Sequence, residues 1–82
     1  MNRTEVYDKL LPVFKDIFDE RSIRIGDSTT AKDIVGWDSL AHINLIAAIE
    51  DEFGIRFTMQ EAYGAKDVGE LVDAILAHLQ ES

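Results

Sequence analysis

One serine stands where its hydroxyl can be used. Gly36-Trp37-Asp38-Ser39-Leu40 brings a loop to a run of helix-favouring residues that continues to Phe53 and stops at Gly54. Asp38 is a preferred N-cap residue, and a glycine just past the last helical position is a common C-terminal cap. Ser39 is therefore predicted on the first turn of a helix over about residues 39–53, at the surface and at the positive end of the macrodipole. The first N–H groups of a helix lack intrahelical acceptors. A phosphate ester on the Ser39 hydroxyl would meet free donors and a favourable field there. The chemistry that suits this stretch is that of a phosphorylated serine.

Other chemistries fare worse. His42 and His78 are the only histidines. A Ser39–His42 pair is conceivable, because residues three apart on a helix are neighbours. A catalytic triad would also need an orienting acid and an oxyanion hole, and nothing in the pattern builds a pocket for them. His42 reads better as a partly buried structural residue, and His78 as a solvated one. Glu50-Asp51-Glu52 is an acidic run without the alternating ligands, central glycine and closing glutamate of an EF-hand loop. It reads as a solvated face, and no metal site is expected.

At about 100° per residue, Leu45, Ile46, Ile49 and Phe53 share one face of the 39–53 helix, with His42 among them. Leu40, Ile43 and Ala47 form a second apolar strip beside Asn44, Glu50 and Asp51. The first face is a core stripe. The second reads either as a docking surface for a basic partner or as residues tucked beneath the preceding loop.

The remaining elements must position that helix. Val6, Tyr7, Leu10, Leu11, Phe14, Ile17 and Phe18 recur at three and four, which predicts an amphipathic helix over about 4–18, capped by Asn2 or Thr4. Pro12 removes one hydrogen bond and crowds the Asp8 carbonyl, so a single kinked helix is expected. A long connection follows to Asp38, with Ile23 and Ile25 alternating against Ser22 and Arg24. Gly26-Asp27-Ser28 reads as a turn, and Thr30 to Ile34 as one short helical turn capped by Thr29 or Thr30. Trp37 reads as a packed anchor for the end of this loop. Thr58 with Glu61 matches a capping box for a short helix over about 58–63. Asp67 with Glu70 does the same for a last helix over about 67–80, striped by Val68, Leu71, Val72, Ile75, Leu76 and Leu79. Gly69 should weaken its first turn slightly. The expected fold is all-α: one domain over 1–82, a small up-and-down bundle of three main helices and one short helix, with a long first loop.

Composition narrows the function classes. Sixteen acids against eight Lys plus Arg leave a net charge of −8 over 82 residues, which disfavours nucleic acid, including a helix-turn-helix reading. It favours basic partner surfaces met in fast, steered encounters. Apolar residues at 46% exclude a disordered chain. There is no cysteine, so thioester chemistry would need a thiol that the chain does not encode. No signal peptide or membrane-spanning stretch is apparent, and a cytoplasmic monomer is expected.

From Gly36-Trp37-Asp38-Ser39-Leu40, through Ile43, Leu45 and Ile46, to Glu50-Asp51-Glu52-Phe53-Gly54-Ile55, the chain resembles the acyl carrier proteins and the related peptidyl and other thioester carriers. The resemblance covers roughly Thr4 to Leu79. It implies that Ser39 bears a 4′-phosphopantetheine arm, transferred from coenzyme A by a phosphopantetheinyl transferase. The cargo would be an acyl or aminoacyl thioester on the arm's thiol. The implied partners are a loading ligase and downstream synthases or transferases, with Asp38, Leu40, Ile43, Asn44, Ala47, Glu50, Asp51 and Glu61 facing them. The implied protein is a non-catalytic carrier. Many fatty-acid-synthesis carriers have acids where this chain has Ala41 and Asn44. The Gly-Trp-Asp-Ser-Leu form is more similar to carriers of polyketide, peptide or other specialised pathways; the free termini suggest a stand-alone carrier, with a domain excised from a larger synthase as the alternative. The competing reading is a small acidic helical interaction module without a prosthetic group.

Overall fold

Four α-helices and one 3-10 turn make up the computed structural model, which describes residues 1–80; the last two residues of the expected domain lie outside the described residues. Helix α1 (Arg3–Phe18) begins at Asn2, whose side chain accepts from the Glu5 N–H while the Glu5 carboxylate accepts from the Asn2 N–H. The helix runs through Pro12 without ending. Pro12 and Asp8 both face solvent, so water can satisfy the carbonyl that the proline leaves without a donor. Helix α2 (Ser39–Phe53) is capped by Asp38 and closed by Gly54 in the left-handed region at φ 65°. Helix α3 (Met59–Gly64) starts from a Thr58–Glu61 capping box. Helix α4 (Val68–Gln80) has the Asp67 carboxylate accepting from the Glu70 N–H. The Glu70 carboxylate reaches back to the Lys66 N–H rather than to Asp67. The helix starts expected at 58 and 67 fall one residue later because Thr58 and Asp67 are themselves caps.

The core is built from one stripe per long helix. Val6, Leu10 and Phe14 of α1 meet Leu45, Ile49 and Phe53 of α2 and Val68, Val72 and Ile75 of α4. Ile23 and Ile34 add the inner side of the long loop, while Ser22 and Arg24 point outward. A second cluster of Ile46, Ala62 and Leu71 seats α3.

The long loop is sewn down at one end by charge. The Arg3 guanidinium donates to Asp27 Oδ1 at 2.8 and 3.2 Å, to Asp73 Oδ1 at 2.6 Å and to the Gly69 carbonyl at 3.2 Å. Tyr7 donates its hydroxyl proton to Asp27. Hydrogen bonds from Arg3 and then Tyr7 hold the Asp27 carboxyl below its ordinary value. Partial burial and the bond to Asp27 push the Tyr7 phenol up to about 12. The loop backbone also caps α4: Val68 N–H donates to Thr29 O at 2.8 Å and Gly69 N–H to Asp27 O at 3.0 Å. A Cβ at position 69 would stand 2.6 Å from Asp27 O, so this approach requires glycine. Gly69, expected only as a mild weakness of α4, is what lets the loop close on the helix.

Candidate functional site

The approach to Ser39 is a sequence of short-range constraints. Gly36 has φ 90°, a conformation that L side chains rarely adopt, within a turn closed by Trp37 N–H donating to Ile34 O at 3.3 Å; Asp38 N–H then donates to Gly36 O at 3.0 Å. Asp38 then takes an extended conformation, and its Oδ1 accepts from Ala41 N–H at 2.8 Å. Ser39 is the first residue of α2 and is exposed. Asp38 satisfies one of the first-turn donors. Among the described residues, the N–H groups of Ser39 and Leu40 have no acceptor in the protein. Those unsatisfied donors, with the positive end of a fifteen-residue helix, suit a phosphate on the Ser39 oxygen.

Trp37 anchors the loop end, as its type and place suggest. Its ring packs edge-on to Phe14 at 5.4 Å between centroids and tilted on Phe18 at 5.7 Å, both in α1. Its ring is nearly parallel to that of His42, and Trp37 Nε1–H donates to His42 Nδ1 at 3.0 Å. His42 Nε2 faces the Ala62 carbonyl of α3. His42 is thus half-buried with both nitrogens engaged, and neither serves Ser39.

Beside Ser39 a shallow groove of about 440 Å³ is lined by Trp37, Asp38, His42, Ile43 and Tyr63. Leu40 (68% exposed), Ile43 (51%) and Ala47 face solvent, as does Asn44, so the second apolar strip of α2 is not core. Tyr63 of α3 borders the same groove at 51% exposed, and Met59 of α3 is 77% exposed. Sequence reading missed both. Their only signal was a spacing of four on a helix too short to show a stripe.

The acids around the site are mostly engaged in structure. Asp38 caps α2. Glu50 is half-buried, and its Oε2 accepts from the Phe57 N–H at 2.8 Å. Glu61 Oε1 accepts from the Thr58 N–H at 2.8 Å and pairs with His78 Nε2 at 2.8 Å. The His78 bond, then the Thr58 N–H, hold the Glu61 carboxyl below the usual range. His78, read as solvated, is instead 21% exposed, because it lies across α3 with its ring edge-on to Phe57. Asp51 is exposed and, among the described residues, makes no hydrogen bond or ion pair. No group of three or more His, Asp or Glu suited to a metal ion occurs among the described residues, and no described helix is long and apolar enough to cross a membrane.

Comparison with known proteins accounts for this arrangement. Residues 8–75 match the family model described as a phosphopantetheine attachment site. The acyl carrier protein of Clostridium acetobutylicum is 33% identical over 76 residues, covering 93% of this chain and 99% of that one. That of Lactobacillus acidophilus is 30% identical over 78 residues, covering 95% and 98%. The solution structure of a holo acyl carrier protein from Geobacter metallireducens superposes with a TM-score of 0.86 at 39% identity, over 93% of this chain and 87% of that one. The all-helical bundle is the architecture of these carriers, and the reading as an interaction module without a prosthetic group gives way. With phosphopantetheine as its cofactor, the chain belongs to the acyl carrier protein family.

Proposed function

We propose that Ser39 is the attachment point of the 4′-phosphopantetheine arm. The observation that carries this reading is the exposed Ser39 hydroxyl at the first position of α2, above donors without protein acceptors, in a chain of the phosphopantetheine family. In the attachment step the Ser39 oxygen attacks the β-phosphorus of coenzyme A. The pyrophosphate linkage breaks, 3′,5′-adenosine bisphosphate leaves, and the serine proton passes to a base on a phosphopantetheinyl transferase. The arm supplies a thiol that holds the cargo as an acyl or aminoacyl thioester. The chain holds the arm's root and offers a face to the enzymes that load and use it, in the cytoplasm and as a monomer.

That face combines Leu40, Ile43, Asn44 and Ala47 with the acids Asp38, Glu50, Asp51 and Glu61. Ala41 and Asn44, where many fatty-acid-synthesis carriers have acids, leave its half nearest Ser39 mainly apolar. Incubation with coenzyme A, magnesium and a broad-specificity phosphopantetheinyl transferase should add one phosphopantetheinyl group by intact mass. Ser39→Ala should add none, although Ser22, Ser28 and Ser82 remain. An unmodified wild type, or a Ser39→Ala protein that is still modified, would sink the assignment.

A further inference from the structure

His42 ties together three elements around the serine. It belongs to α2, its Nδ1 lies 3.0 Å from Trp37 Nε1 in the loop, and its Nε2 faces Ala62 O in α3. Both partners have a single polarity. An indole N–H only donates, and a carbonyl oxygen only accepts. The ring is thereby fixed as the neutral tautomer with its proton on Nε2. Nδ1 accepts from Trp37, and Nε2 donates to Ala62. The Ala62 carbonyl lies in the last turn of a six-residue helix, where carbonyls lack intrahelical donors, so His42 supplies one. On its far side Trp37 is wedged against Phe14 and Phe18. Its backbone is two residues before Ser39, joined to it through the Asp38 cap.

We propose that His42 is a positioning residue for the serine, resting on the assignment of Ser39 above. In its Nε2–H form it holds Trp37 and α3 at the spacing that shapes the groove beside Ser39, and protonation of the ring releases Trp37. An imidazolium carries N–H on both nitrogens, so its Nδ1–H would face the indole N–H donor to donor. The titratable and charged groups around the ring are few. Asp38 lies one turn back on α2 with its carboxylate engaged by Ala41. Tyr63 of α3 packs edge-on at 5.4 Å. Lys66 and Asp67, of opposite sign, line a cavity of about 70 Å³ against His42 and Trp37. The α1 residues packed on Trp37 are the uncharged Phe14 and Phe18.

Trp37 is the only tryptophan, so its emission reports on this junction alone. Acidification from about pH 8 to about pH 5, where histidine changes charge, should alter the emission of the wild-type chain and of His78→Gln. His42→Gln should not respond, because its amide does not titrate. Across the same range, loading of Ser39 should fall about two- to tenfold more in the wild type than in His42→Gln, the factor that one net hydrogen bond represents. Using one transferase for both chains cancels its own pH dependence. Nitrogen-15 spectra of the wild-type His42 ring at neutral pH should show a protonated Nε2 and a bare Nδ1, a test that stands even if His42→Gln fails to fold. An acid response shared by His42→Gln, superimposable loading profiles, or an Nδ1–H ring at neutral pH would each overturn the proposal. Loading that survives Ser39→Ala would instead overturn the attachment reading, leaving the emission and ring-nitrogen results standing.

Discussion

Two helix starts in this small bundle are finished in opposite ways. At α4 the protein supplies the acceptors itself: Thr29 O and Asp27 O take the Val68 and Gly69 N–H groups, and the Asp67 carboxylate takes that of Glu70. The loop that does this is pinned by Arg3 to Asp27 and Asp73. At α2 the Asp38 carboxylate takes the Ala41 N–H, while those of Ser39 and Leu40 point outward. A buried, fully satisfied start is structural. A start left open on the surface, with a hydroxyl on its first residue, is available to a ligand's oxygens. The same backbone geometry thus serves stability at one helix start and, on the assignment proposed for Ser39, chemistry at the other.

The contrast can be broken most forcefully through α2, which carries the open start on one side and core on the other. Ile49 is fully buried, and Ile49→Ala should cost about 2–5 kcal/mol of stability, read by denaturant titration. Ile43, on the exposed strip, should tolerate Asp with a nearly unchanged melting temperature yet slow loading or transfer by partner enzymes. A large loss of stability for Ile43→Asp would make the strip structural after all.

Next in size is the closed start. Gly69→Ala places a methyl group against Asp27 O and should destabilise by about 1–3 kcal/mol. Loading of Ser39 below the melting point should be unaffected. A neutral or stabilising Gly69→Ala would mean that the loop does not need to approach α4 so closely.

A smaller effect follows pH. The folded state lowers the Asp27 carboxyl, so its contribution is complete above the ordinary carboxylate range, near about pH 4, and is lost as pH falls through the lowered value. Acid unfolding should therefore be less steep in Asp27→Asn, which starts from a lower stability at neutral pH. Identical acid profiles would remove Asp27 from the account.

The smallest effect concerns steering. Asp51 is the acid of the proposed docking face without a structural bond among the described residues, so Asp51→Lys should slow loading at low salt with little change in melting temperature. The difference from wild type should shrink as salt shortens the Debye length to about 8–10 Å. Glu50→Lys confounds the two, because it also frees the Phe57 N–H. A loading rate indifferent to Asp51→Lys at every salt concentration would assign recognition to the apolar strip.

What could be read from the sequence was local. Thr58 with Glu61 is a pair three residues apart that forms the reciprocal cap its spacing suggests, and Asn2, one of two candidate caps for the first helix, is the one used. The two faces of α2 separate cleanly because fifteen residues give four turns of periodicity. What could not be read was contact between distant segments. Arg3 meets Asp27 and Asp73 across 24 and 70 residues, and no local pattern marks those partners. The need for glycine at 69 comes from a carbonyl on another segment. His42 looked like a core-stripe histidine, and its role as a bridge depends on Trp37 and Ala62 arriving from opposite sides. His78 was misplaced for the same reason, since Glu61 reaches it from α3.

The Arg3 knot has a consequence for how the chain comes into being. Arg3 precedes Asp73 by 70 residues, so a growing chain must add all of that length before Arg3 can meet its second carboxylate. The first turn of α4 in turn needs the loop already in place to receive its amides. The bundle can therefore close only once α4 has been made. A fragment stopped before α4 would expose Val6, Leu10 and Phe14 without Val72 and Ile75 to cover them. Such a fragment should be a far better substrate for chaperones and proteases than the closed bundle.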